Sequence, residues 1–127
     1  MPISFKMNAD PKFVAFEMAS PITVDEFMVG YKTLFSDPSF EFNLPVIWDL
    51  SNLDLTQIPI GDVRQLPPRI KEFTKDRGDN YKAALVTTRT MDYQLLRMYI
   101  TIVKLLGRKV HLRLFPTVAE AHSWIAR

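Results

Sequence analysis

Pro45-Val46-Ile47-Trp48-Asp49-Leu50-Ser51-Asn52-Leu53-Asp54-Leu55 opens as an apolar, β-prone run and turns polar at Asp49. The unbroken apolar character of Val46–Leu50 predicts a strand buried on both faces of a parallel sheet. Pro59 and Gly61 punctuate the segment behind it, and a helical pattern follows. A buried strand that ends in a polar tip, a loop and a helix is how one strand reaches the ligand-facing edge of an α/β sheet.

Upstream of this stretch, Ile3–Met7 alternates apolar and polar residues, and Phe13–Met18 reads as a second strand. Asn8-Ala9-Asp10-Pro11 between them is turn chemistry, so the two form a hairpin. Thr23 and Glu26 have capping-box spacing, and Phe27, Met28, Tyr31, Leu34 and Phe35 follow at helical intervals. Downstream, a helix is predicted over 61–76, with a kink or a break at Pro67-Pro68, because proline removes a donor and clashes with the preceding turn. Tyr81–Thr87 is the fourth strand. Thr90 is expected to cap a helix that runs to about Leu106 and is closed by Gly107. Val110–Phe115 alternates as a fifth strand, and Thr117 with Glu120 opens a last short helix ending near Ala126. The order β-β-α-β-α-β-α-β-α predicts one α/β domain over residues 1–127, with a mixed, mainly parallel sheet of about five strands.

The chain has no cysteine, which removes disulfides, thiolate nucleophiles and thiolate metal sites. Residues 1–10 lack the basic start and apolar run of a signal peptide. No apolar run approaches the roughly 20 residues of a membrane span. The net charge of +2 hides an asymmetry. Residues 1–63 carry three basic and nine acidic side chains, and residues 64–127 carry thirteen basic and five acidic ones. Uneven decoration of helix surfaces explains this simply; an anion-facing or self-complementary surface is the sharper reading.

Three strand ends are candidate sites. Asp49 and Ser51 form one, Thr87-Thr88-Arg89-Thr90 the second, and Phe115-Pro116-Thr117 the third. The second gathers three hydroxyls and a guanidinium beside a helix start, where free N–H groups and the helix dipole favour an anion. The bland alternative is a capping threonine beside a solvated arginine. Asp49 has no second titratable group placed beside it, so turn capping outweighs acid–base chemistry. His111 and His122 lack close acids in sequence and read as structural rather than metal-binding. No glycine-rich phosphate loop or other cofactor motif is present. Arg64, Arg69, Lys71, Lys75 and Arg77 cluster on the second helix without a nucleic-acid motif, and are expected to be a solvated face.

The helix over 91–106 is apolar almost all round. Leu95, Met98, Tyr99, Ile102 and Leu106 make one stripe, and Tyr93, Leu96, Ile100 and Val103 make another. One stripe should lie on the sheet, and the other needs a cover: a neighbouring helix, a second subunit in a homodimer, a lipid or an apolar ligand.

The element order, Val46-Ile47-Trp48-Asp49-Leu50-Ser51 and the ending Leu114-Phe115-Pro116-Thr117-Val118-Ala119-Glu120-Ala121-His122-Ser123-Trp124-Ile125 resemble the SpoIIAA-like branch of the STAS, or anti-sigma-factor antagonist, fold. The resemblance implies a small cytoplasmic bacterial domain that works through protein contacts or ligand sensing rather than catalysis. Classical anti-sigma antagonists carry a phosphorylatable serine in an Asp-Ser-Ser-Gly type loop after the third strand. Here the matching loop reads Asp54-Leu55-Thr56-Gln57-Ile58-Pro59-Ile60-Gly61, with Ile58 and Pro59 where the serines would stand.

Overall fold

The alternation along Val46-Ile47-Trp48 divides the molecule into two layers of core. The structure, a computed structural model, describes residues 2–127. Met1, the first residue of the stretch read for a leader, lies outside the described residues. Five strands form one sheet in the order β1 (Ile3–Ala9), β2 (Lys12–Ala19), β3 (Val46–Asn52), β4 (Lys82–Val86), β5 (His111–Phe115). The β1–β2 hairpin is antiparallel and the other pairs are parallel, as the element order requires. Strand β3 runs to Asn52, two residues beyond the expected end.

Successive side chains of a strand point to opposite faces. Val46, Trp48 and Leu50 therefore share one face with Val14, Phe16 and Leu85. Ile47 lies on the other with Ala84, Val86 and Phe115. Helices α1 (Val24–Lys32), α2 (Ile60–Lys71) and α4 (Thr90–Leu105) cover the first face, and α5 (Val118–Ile125) covers the second. The first face is dominated by aromatics. Phe16 stacks on Trp48 with centroids 4.3 Å apart, and Tyr31 meets Trp48 edge-on at 5.1 Å. Such pairs contribute roughly 0.5–1.5 kcal/mol each beyond area burial.

Local signals fix the helix ends with two exceptions. Thr23 and Glu26 form the complete capping box, with bonds of 2.9 and 3.0 Å. Thr117 accepts the Glu120 N–H at 3.2 Å. Gly107, at φ +73°, closes α4 in the left-handed conformation that glycine tolerates best. The first exception is Pro67-Pro68, which lie within α2 without breaking it. The break comes later, where Glu72 and Phe73 bond back only three residues, to Arg69 and Ile70. Phe73 turns into the aromatic cluster there, 5.4 Å from Tyr31 and Phe35, and the one-turn α3 (Thr74–Arg77) follows. Tertiary packing of Phe73 thus overrides the local proline signal. The second exception is Thr90, which is the first helical residue rather than the cap; Arg89 holds the cap position without a side-chain bond.

Candidate functional site

The carboxyl ends of β3 and β4 lie side by side, with Asp49 paired to Val86 in the ladder. The candidate residues there split between the two faces. Asp49 follows Ile47 in phase, toward the α5 side, and its carboxylate accepts the Ser51 N–H at 3.1 Å and the Ser51 hydroxyl. The turn-capping reading therefore describes Asp49. Thr87 is buried, donates its N–H to the Phe115 carbonyl, and accepts the Arg89 N–H at 3.4 Å. Thr88, Arg89 and Thr90 are exposed.

Two acids organise this edge: Asp54, which lies near Asp49 in sequence but which nothing there placed, and Asp92, which sequence reading did not single out. The Arg89 guanidinium lies 3.2 Å from Asp54 and 3.6 Å from Asp92. Asp92 sits in the first turn of α4, fully buried, and accepts the Leu55 N–H at 3.2 Å. A carboxylate there complements the helix dipole and ties α4 to the loop after β3. Burial pushes the Asp92 carboxyl above its ordinary range, against the opposing pull of Arg89 and the Leu55 N–H. Asp54 shifts the other way, held down first by the Thr56 hydroxyl and also by Arg89. One guanidinium faces two carboxylates, so an incoming anion meets net negative charge. The only sequence cue was an acid two positions into a helix start.

Helix α2 and α3 carry the basic cluster differently from the expected solvated face. Arg64, Lys71 and Lys75 are exposed, and Arg69 pairs with Asp25 at 3.3 Å. Arg77 is 1% exposed. Its Nε donates to the Tyr31 hydroxyl at 2.9 Å, Nη2 donates to the Leu44 carbonyl, and its guanidinium lies 3.8 Å over the Tyr81 ring. Burial raises the Tyr31 phenol well above its ordinary value, with Arg77 opposing. His111 lies 3.3 Å from the Asn80 amide oxygen, and His122 packs edge-on against Phe13. Among the described residues, no group of three or more potential ligands is placed to hold a metal ion.

Helix α4 is covered on one side only. Leu95, Leu96, Tyr99 and Ile100 pack into the aromatic face of the core. Burial also raises the Tyr99 phenol. Leu106 is half-buried, and its carbonyl accepts from Lys71 at 3.3 Å. On the outer flank Met91 is 66% and Leu105 82% exposed, with Met98 and Ile102 half-buried between them. Met91, Leu95, Met98, Ile102 and Leu105 follow one another at steps of four, three, four and three residues. That is the spacing of a helix–helix seam. The expected stripe shares Leu95, Met98 and Ile102 with it; Tyr99 turns toward the core, and Met91 and Leu105 extend the seam. Its outer border is Gln94 and Thr101, both uncharged.

The loop at 54–61 carries a 3-10 turn, Leu55–Gln57, capped by Asp54. Leu55 is buried, the Thr56 hydroxyl bonds to Asp54, and Ile60 is half exposed. No helix among the described residues is long and apolar enough to cross a membrane.

No protein-family model and no curated protein matches the sequence. Among solved structures, the chain is similar to an uncharacterised protein of the DUF3478 family with a SpoIIAA-like fold from Shewanella loihica PV-4. The TM-score is 0.64 at 13% identity, over 97% of this chain and 93% of that one. With its five-stranded mixed sheet and flanking helices, the chain has the SpoIIAA-like fold.

Proposed function

We infer that this is a non-enzymatic regulatory or scaffolding domain that acts by protein contact, as a homodimer joined through the outer flank of α4. The observation that carries the reading is the seam Met91–Leu95–Met98–Ile102–Leu105, exposed at its ends Met91 and Leu105 and half-buried between them. Apolar residues at that spacing bury their surface against a second helix. A two-fold interface must also be self-complementary, and the uncharged border of Gln94 and Thr101 opposes no like charges across the axis. Helix α4 is about 24 Å long at 1.5 Å per residue. Leu112 and Leu114 of edge strand β5, half-buried on the same face, add area beside it.

The non-enzymatic part of the reading rests on the strand-end carboxylates Asp49 and Asp54, which are engaged by Ser51, Thr56 and Arg89. With Ile58 and Pro59 in place of the family's serines, contact rather than phosphorylation is the expected mode of action, in a cytoplasmic setting. Light scattering on a sizing column tests the reading. A dimer that Leu105→Glu converts to a monomer with unchanged circular dichroism supports it. A wild-type monomer at every accessible concentration removes it.

A further inference from the structure

Strand β5 forms one edge of the sheet and bonds only to β4. Its main-chain groups divide by position. The His111 N–H donates to the Tyr81 carbonyl at 2.9 Å, and the Phe115 carbonyl accepts the Thr87 N–H at 3.2 Å. In a parallel ladder, alternate residues of a strand bond to the same neighbour. His111, Arg113 and Phe115 therefore turn their N–H and C=O groups to β4, and those of Leu112 and Leu114 point away from it. Among the described residues, no main-chain group outside β4 meets them.

The side chains of the same strand are sorted by face. Leu112 and Leu114 lie half-buried on the side of the sheet that α4 covers. His111 and Arg113 are exposed on the opposite side, where Phe115 is buried with residues of α5. Lys109 stands exposed just before the strand, and residues 109–115 contain no acidic side chain. Among the described residues, neither Lys109 nor Arg113 has a carboxylate within ion-pair distance. The other edge strand, β1, carries a single cation, Lys6.

Charges on an open edge decide what can pair with it. In the register that would pair all of β5 with a second copy, Arg113 meets the copy's own Arg113, and like charges directly opposite destabilise such a pair. A strand with acids at alternate positions meets the reverse. Its carboxylates stand against Arg113 and His111, while the residues between them lie beside Leu112 and Leu114 on the apolar side.

We propose that β5 accepts an added strand from a partner protein, an extended segment in which acidic residues alternate with apolar ones. Main-chain bonds to Leu112 and Leu114 supply the ladder, and the side chains of β5 select the partner. This goes beyond a dimer through α4, and it uses main-chain groups and cations that the α4 seam does not.

A blocked hexapeptide alternating glutamate and valine is the probe, and amide hydrogen exchange of the ¹⁵N-labelled protein is the readout. In the protein alone, the Leu112 and Leu114 amides are expected to exchange as unprotected groups. The peptide should slow both saturably, by at least about tenfold, and leave the Arg113 amide, already bonded to β4, little changed. A lysine–valine peptide of the same length should bind at least about fivefold more weakly, and Arg113→Glu should reverse that preference. No slowing of the Leu112 and Leu114 amides at any soluble peptide concentration overturns the proposal. So does equal binding of the two peptides. Slowing in the protein alone that grows with its concentration also overturns it, because a second copy then holds the edge. A dimer through α4 without peptide binding leaves the α4 reading standing, and peptide binding by a monomer removes that reading alone.

Discussion

The carboxyl edge of the sheet and the outer flank of α4 reverse the roles their positions suggest. The edge is where α/β sheets usually present ligands a row of unmet polar groups. Here Asp49 is spent on Ser51, Asp54 on Thr56, and Arg89 on Asp54 and Asp92. The helix flank, which an isolated domain would make polar, is an apolar seam bordered by uncharged residues. Chemical potential in a fold is better judged by which groups lack partners than by where they lie. On that criterion the edge is mainly structural, although the buried Asp92 Oδ2, 3.6 Å from Arg89, makes no hydrogen bond there, and the flank is the unfinished surface.

The largest effects should separate the two regions. Met98→Glu with Leu105→Glu places charges inside the inferred interface on both copies. At roughly 2–5 kcal/mol per buried unpaired charge, association should weaken by about three orders of magnitude or more. Leu105 is 82% exposed in the single chain, so its own change should affect monomer folding little, and any folding cost falls on the half-buried Met98. Thr88→Glu at the edge should leave association unchanged in the same sedimentation series. Equal effects from both variants would erase the distinction.

Asp92→Ala comes next. It removes the acceptor of the Leu55 N–H and one partner of Arg89, and should cost about 1–3 kcal/mol in urea unfolding. Arg89→Ala should cost less than about 1 kcal/mol, because its guanidinium is half exposed and solvent screens its pairs. A reversed ranking would mean that Arg89, rather than the buried acid, organises the edge.

The smallest effect is a pH dependence. A carboxyl whose folded pKa is raised by burial stabilises the fold only while protonated. That contribution is present below the ordinary value of about 3.9 and is lost as pH rises through the folded pKa. Asp92→Asn keeps an acceptor for Leu55 and cannot ionise. Its stability relative to wild type should therefore rise with pH across that window, and a flat difference would mean that Arg89 fully compensates the buried charge.

Much of the architecture was legible because local and global signals agreed. Thr23 and Glu26, the alternation in β1 and β5, and the doubly apolar Val46-Ile47-Trp48 each specify one element, and together they specify the sheet. Pro67-Pro68 misled because the helix end is set by Phe73 entering an aromatic cluster built from distant segments. Arg77 misled for the same reason: its partners Tyr31, Leu44 and Tyr81 converge only in the folded chain. Thr90 carries the right chemistry for a cap, yet Asp92 and Arg89 anchor the helix start instead. At α4 the over-apolar pattern was plain in sequence. Which residues remain open depended on how far the helix rolls onto β5, which periodicity alone does not fix.

Cysteine cross-linking tests the α4 seam most directly, because the chain contains no native cysteine to interfere. Met98 lies at the midpoint of the seam, so a two-fold axis centred there brings it against its own copy in either helix orientation. Mild oxidation of Met98→Cys is expected to give a disulfide-linked dimer in high yield, within the Cα separation of about 4.4–6.8 Å that such a bond demands. Phe42→Cys, at an exposed apolar position on another part of the surface, should stay monomeric under the same conditions. Cross-linking of Met98→Cys no greater than that of Phe42→Cys would contradict a dimer built on α4.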